Sequence, residues 1–271
     1  MEKTKKAHVI AFANQKGGVG KTMSVLNIGV GLVQHGYRVL LVDIDAQANL
    51  TMGLGFDPDE LENTISALFR KIIEVPNFLQ SESIDDYILS SAEGVDLLAS
   101  DMRLSGSEAI MQSVSVGREQ FLTEILSCVK EKYDFVLIDC PPSLGILTIN
   151  SLVAADEVII PSQAQIFSFK GSELLIQNIE AVRRINRTLK YGGIILTMVN
   201  SRSKDAQAVI KETENAYGKY MKIFADRVPI SVRASESNRM CKSIYEYDSN
   251  GKIAEAYRGI VEEIIYAWKE Q

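Results

Sequence analysis

Disulfide and metal chemistry have little to work with in this chain. Its 271 residues include three cysteines, two histidines and one tryptophan. Cys128, Cys140 and Cys241 are an odd set with no C-x-x-C spacing. That fits reduced thiols and excludes a disulfide framework. His8 and His35 are too few for a histidine metal centre. Long apolar runs are also missing. No stretch approaches the roughly 20 residues of a membrane span, and Val9–Ala13 is too short for the core of a signal peptide. Six prolines are scattered, and no linker, repeat or low-complexity tract breaks the chain. An overall basic excess is absent too, because the net charge is -6. That excludes a wholly basic nucleic-acid-binding protein. The charge is uneven, however. Residues 183–242 hold 13 Lys/Arg against five Asp/Glu, a local +8, so a basic face on an acidic molecule is expected.

What is present reads as α/β. Short apolar runs predict buried strands at Val9–Ala13, Arg38–Val42, Val95–Ala99, Phe135–Ile138, Val158–Ile160 and Ile194–Val199. Helical patterns lie between and after them at Lys21–His35, Gln120–Lys132, Ser172–Asn186, Ala206–Tyr220 and Ile253–Trp268. Alternating strands and helices predict a parallel-dominated central sheet with helices on both faces, in one domain spanning 1–271. Asp57–Glu93 is polar and irregular and reads as a surface excursion. His35 before Gly36 reads as the end of the first helix.

The first strand runs into Asn14-Gln15-Lys16-Gly17-Gly18-Val19-Gly20-Lys21-Thr22, which opens the first helix. Backbone N–H groups of such a loop and of a helix N-terminus converge on an anion. Gly17, Gly18, Val19 and Gly20 supply the cradle, and Met23 follows in the first turn. Lys21 is placed to reach the β/γ-phosphates of ATP, and the Thr22 hydroxyl to ligate Mg²⁺. Lys16 is a second lysine that an ordinary phosphate loop does not need. It implies a further cation near the phosphates, delivered to a partner subunit. A dinucleotide loop would want G-x-G-x-x-G, and Met23 occupies the last glycine position. Asp43, about twenty residues on, would suit a ribose-binding acid, but the Lys-Thr pair favours a nucleoside triphosphate.

Two more strands end in acids. Val39–Val42 runs into Asp43-Ile44-Asp45, and Phe135–Ile138 runs into Asp139-Cys140-Pro141-Pro142. Carboxylates at the C-terminal edge of an α/β sheet beside ATP hold the Mg²⁺ water shell or orient an attacking water. Of Asp43 and Asp45, only one is expected to face the γ-phosphate. Asp139 reads as the acid of a Walker B strand, supporting Mg²⁺ through water. Pro141-Pro142 fixes an extended turn able to sense the γ-phosphate. Cys140 reads as a packing residue.

Together these motifs closely resemble the ParA/MinD family of deviant Walker-A ATPases. Lys16–Thr22 is similar to its signature loop, Val39–Gln47 to its second motif, and Phe135–Ser143 to its Walker B strand. The second half resembles the ParA branch. Gly193–Arg202 is similar to the strand and loop of partition ATPases, Ser231–Ser237 to their N-V-R-x-S-E-A segment, and Ile244–Tyr257 to their later Tyr-Asp…Gly…Ala-Tyr stretch. The resemblance implies an ATP-dependent homodimer. Lys16 would cross to the partner's nucleotide, and Gly17 would allow close approach of the two loops. Asp45 would position the hydrolytic water and stand near the metal with Thr22 and Asp139. Asn200 would contact the base. Arg202 and Arg233 would bind DNA backbone without sequence preference. A ParB-like centromere-binding partner would stimulate hydrolysis, and the protein would be cytoplasmic and nucleoid-associated. Met23, Ala46, Ala48 and Lys170 depart from the family pattern; Ala46 and Ala48 replace Pro and Gly in D-x-D-P-Q-G. No N-terminal helix-turn-helix extension is expected.

Three other readings compete. A MinD-like membrane-cycling ATPase would need a basic amphipathic C-terminal helix. The tail from Ile260 carries three Glu and one Lys, so stable membrane association is not expected. A nitrogenase-reductase-like electron donor would need paired cysteines for a cluster, whose spacing is absent. A scaffold with a dead site is opposed by Lys21, Thr22, Asp45 and Asp139.

Overall fold

The computed structural model describes residues 6–163, 168–200 and 203–270. Its seven strands are β1 (His8–Phe12), β2 (Val39–Asp43), β3 (Ile88–Ser90), β4 (Asp96–Leu98), β5 (Phe135–Asp139), β6 (Glu157–Gln163) and β7 (Lys190–Thr197). They form one sheet in the order β3-β4-β2-β5-β1-β6-β7. All neighbours are parallel except β3 and β4. This is a P-loop NTPase fold.

The central strands are apolar throughout because both faces are covered. Side chains alternate between two cores. Ile10 and Phe12 of β1, Leu41 of β2 and Leu137 of β5 face the first helix, α1 (Lys21–Gln34), and the C-terminal helix Lys252–Lys269. Val9, Ala11, Val42 and Ile138 join Leu152, Leu175 and Ile179 on the other side. Ile253, Tyr257, Ile260, Val261 and Ile264 recur at helical spacing and are buried, so the apolar face of the C-terminal helix is used up in the core. Helix α1 ends at His35, and Gly36 takes the left-handed φ of +84° that closes it.

The structure departs from the sequence-based expectations at several points: helices Leu104–Ser113, Ile146–Ala154 and Val232–Arg239 are additional, and the helix expected over Ser172–Asn186 runs Ser168–Val182. The edge strand β3 was not expected. It is three residues long and antiparallel, joined to β4 by a turn in which Gly94 has φ +81°. Asp57–Glu93 is not a loose excursion. It contains the helix Ile65–Glu74, with Ile65, Leu68 and Phe69 buried, and Phe78, Ile84 and Tyr87 follow into the same core. The helix expected over Gln120–Lys132 stops at Ser127, and a 3₁₀ turn covers Lys130–Lys132.

Candidate active site

The loop after β1 is pinned to the sheet before it turns. Asn14 is buried. Its Nδ2 donates to the Pro161 carbonyl at 2.7 Å, and its Oδ1 accepts from Lys16 N at 3.0 Å. Gly18 and Gly20 have φ of +70° and +83°, a region open to glycine and strained for other residues. Gly20 is the N-cap of α1, so the free N–H groups of the first turn face the loop. Val19 is buried, and its carbonyl accepts from Thr197 Oγ1 of β7 at 2.8 Å. Gly17 and Gly18 are exposed at the rim. The result is an anion cradle held by β6 and β7 as well as by β1 and α1.

The Lys21 side chain is 7% exposed and reaches back over the loop, its Nζ donating to the Lys16 carbonyl at 3.4 Å. Burial lowers its pKa, while the charges of Asp139, then Cys140 and Asp45, act the other way. Thr22 is half-buried, and its hydroxyl is close enough to Asp139 to lower the pKa of that carboxyl. Asp139 pairs in register with Asp43 on β2 and with Phe12 on β1. Burial raises its pKa well above the usual carboxylate range, the Asp43 charge raises it further, and Thr22 and Lys21 lower it. Its Oδ1 has no hydrogen-bond partner among the described residues. An orphaned, buried carboxylate oxygen next to a threonine hydroxyl is a hard-oxygen donor set that fits Mg²⁺. Thr22 and Asp139 are the residues that could hold it.

The two acids after β2 part company. Asp43 is fully buried. Its Oδ2 accepts from Thr51 N at 2.9 Å and Thr51 Oγ1 at 2.8 Å, and its Oδ1 from Asp45 N at 3.2 Å. Burial pushes its carboxyl up to about 6 against those three hydrogen bonds. Asp45 is half-exposed and lines the cleft, with Oδ1 accepting from Gln47 N at 3.0 Å. Ala48 closes this turn at φ +52°, with its N–H donating to the Asp45 carbonyl at 2.9 Å. The turn therefore forms without the family's glycine, at a cost of about 1–2 kcal/mol for a left-handed alanine.

The cleft has a volume of about 570 Å³. The phosphate loop, Asp45 and Pro142 form one wall. The other comes from the second half of the chain: Thr197, Pro229, Ser231, Ser235, Asn238 and Tyr257. None of these six was singled out from the sequence as nucleotide-binding. They reach the cleft through tertiary contacts, and no spacing signal marked them. Met23 also lines the cleft, and Asn27 donates to its carbonyl at 2.8 Å. Asn200 is exposed, two residues beyond cleft-lining Met198, and its carbonyl accepts from Ser203 N at 3.0 Å.

Arg233 lies in the first turn of the helix Val232–Arg239, which turns Ala234, Ser235 and Asn238 toward the cleft. Its side chain is 56% exposed, and its guanidinium lies 3.4 Å from Glu236 and 5.9 Å from the Tyr247 ring centroid. Arg202 lies outside the described residues. Lys16 is exposed, and its Nζ donates to Gln163 Oε1 at 3.2 Å.

Comparison with known proteins gives this site a context. A family model described as an AAA domain matches residues 7–191. The chain is 35% identical to the sporulation initiation inhibitor protein Soj of Bacillus subtilis, over 94% of this chain and 97% of that protein. It is 38% identical to the chromosome-partitioning ATPase Soj of Treponema pallidum, over 94% and 96%. Among solved structures, cobyrinic acid a,c-diamide synthase from Mycobacterium smegmatis with bound ATP analogue and magnesium matches with a TM-score of 0.82. Identity there is 33%, covering 97% of this chain and 96% of that one.

Proposed function

The chain belongs to the ParA-type partition ATPases, and on that premise we propose an ATP- and Mg²⁺-dependent DNA partition cycle. One arrangement carries the reading: the buried Lys21 ammonium, the Thr22 hydroxyl and an Asp139 oxygen with no partner among the described residues converge on a glycine cradle at a helix N-terminus. Lys21 counters the β/γ-phosphate charge, and the loop N–H groups orient the phosphates. Mg²⁺ held by Thr22 and, through water, by Asp139 would neutralise charge that develops on the transferred phosphoryl group. Asp45, with its carboxylate in the cleft, accepts a hydrogen bond from the attacking water and orients it. Lys16 acts on the nucleotide of a second copy, so hydrolysis belongs to a homodimer. In this reading Asn200 contacts the base only in the loaded state.

The dimer binds DNA through phosphate contacts in which Arg233 and Arg202 take part, and a centromere-binding partner triggers hydrolysis and release. The proposed cycle runs in the cytoplasm, on the nucleoid. Support comes from the basic excess of residues 183–242 and from the full-length likeness to partition ATPases. The membrane alternative gains nothing from the C-terminal helix, whose apolar side is buried.

The test is co-sedimentation with mixed-sequence DNA and with anionic vesicles, in ATP, in ADP and without nucleotide. DNA binding is expected in ATP alone. Arg233→Ala should weaken it about equally for all sequences and lower the slope of log K against log salt by roughly 0.9 per copy. Binding to vesicles but not to DNA would sink the partition reading.

A further inference from the structure

One side chain beside the phosphate loop touches both its front and its middle. Gln163 is the last residue of β6. Its Nε2 donates to the Gly18 carbonyl at 2.9 Å, and its Oε1 accepts from Lys16 Nζ at 3.2 Å. The contact with Gly18 fixes the orientation of the amide, because a carbonyl needs the NH₂ end. That leaves the oxygen for an ammonium, which can only donate. Lys16 has a long, flexible stem that water could otherwise claim. Instead it is folded back along its own chain, onto the strand that also pins Asn14.

We propose that Gln163 is a positioning residue that holds Lys16 over its own loop until a second ATP-loaded copy offers it a phosphate. This rests on the reading that Lys16 acts across a dimer. The chemistry suits a releasable hold. A neutral amide oxygen at a half-exposed site biases Lys16 by a factor on the order of 2–10. A triphosphate oxygen is a charged acceptor and forms a shorter, stronger bond with an ammonium. The amide therefore keeps Lys16 in the monomer and loses it to nucleotide. A symmetric dimer releases two such holds, so the bias is squared, to roughly 4- to 100-fold in the dimer dissociation constant.

The experiment is sedimentation equilibrium of the full chain with Mg²⁺ and a non-hydrolysable ATP analogue, for wild type, Gln163→Ala, Gln163→Leu, Gln163→Glu and Lys16→Ala. Analogue affinity is measured in parallel at protein concentrations where every variant is monomeric. Gln163→Ala and Gln163→Leu should dimerise more tightly, by roughly 4- to 100-fold, when each is compared at saturating analogue. Gln163→Glu, which faces Lys16 with a full charge, should dimerise more weakly. Loss of simple loop support would instead weaken all three. Dimerisation of the Ala and Leu variants that is equal to or weaker than wild type overturns the proposal. If that happens while Lys16→Ala abolishes the dimer, only the role of Gln163 fails. If Lys16→Ala dimerises like wild type, the cross-dimer reading fails and takes the Gln163 proposal with it.

Discussion

Strands β2 and β5 are close to copies of one another. Val-Leu-Leu-Val-Asp and Phe-Val-Leu-Ile-Asp lie side by side, buried along their full length, and register sets Asp43 directly against Asp139. Their acids nevertheless live differently. Asp43 has all its hydrogen bonds within the chain, from Thr51 and the Asp45 backbone. Asp139 keeps an oxygen with no partner among the described residues, beside Thr22 and within the field of Lys21. A satisfied buried carboxylate organises the fold, whereas an unsatisfied one at a sheet's C-terminal edge marks a place for a cation. Motif matching alone does not separate the two.

The largest effects should come from deleting each acid in turn. Asp139→Ala is expected to lower Mg²⁺-dependent ATP turnover by about 10²-fold or more, because the metal support proposed for it is lost. Its urea unfolding without Mg²⁺ should be close to wild type, since a costly unpaired group leaves with it. Asp43→Ala should reverse the pattern. It strands the Thr51 donors and should cost about 2–4 kcal/mol of stability, while turnover of the folded fraction falls much less. Equal losses of stability in the two variants would break the distinction.

The same contrast explains what could be read from the sequence. Both strands were legible because a run buried on both faces is uniformly apolar. The phosphate loop was legible because Lys16–Thr22 places its chemistry in one contiguous stretch. The helix Ile65–Glu74 was missed although Ile65, Leu68, Phe69, Ile72 and Ile73 carry helical spacing, because the polar residues on either side outweighed it. Edge strand β3 is too short to announce itself. Gln163, Thr197 and Tyr257 reach the site from distant segments, and a residue's role as a wall or a clamp leaves no local pattern. The left-handed Ala48 was also hidden, since its conformation is imposed by the hydrogen bond to Asp45 and not by its own preference.

pH provides a smaller and more specific test. Burial raises both carboxyls, Asp43 to about 6. A raised folded-state pKa means that the folded chain holds its proton more tightly than the unfolded chain does. The stability this confers is complete below the ordinary value near 4 and is lost as pH rises through about 6. For Asp43 alone this amounts to about 2–3 kcal/mol. Urea unfolding of nucleotide-free protein between pH 4.5 and 7.5 should show that loss relative to Asp43→Ala, in which the Asp43 contribution is gone. Mg²⁺ with ATP should act in the opposite sense and stabilise more at pH 7.5 than at pH 5.5, because the metal role proposed for Asp139 requires the carboxylate. An identical pH slope in wild type and Asp43→Ala would remove Asp43 from this account.

The smallest expected signal comes from the residue that follows Asp139. Cys140 is fully buried, its N–H donates to the Phe12 carbonyl at 3.2 Å, and burial pushes its thiol up to about 12. At pH 8 its thiolate population is lower than that of an ordinary thiol by a factor on the order of 10³. Cys128 and Cys241 are exposed. A thiol reagent should therefore label two sites in the native chain and three after unfolding. The labelling rate of Cys140 then reports how often this strand end opens. In Asp139→Ala the strand keeps its ladder and its core contacts, so Cys140 should stay as protected as in wild type. In Asp43→Ala the neighbouring turn loses its anchor to Thr51, and Cys140 should react faster. If Cys140 is instead exposed by Asp139→Ala and not by Asp43→Ala, then Asp139 is the structural acid of the pair.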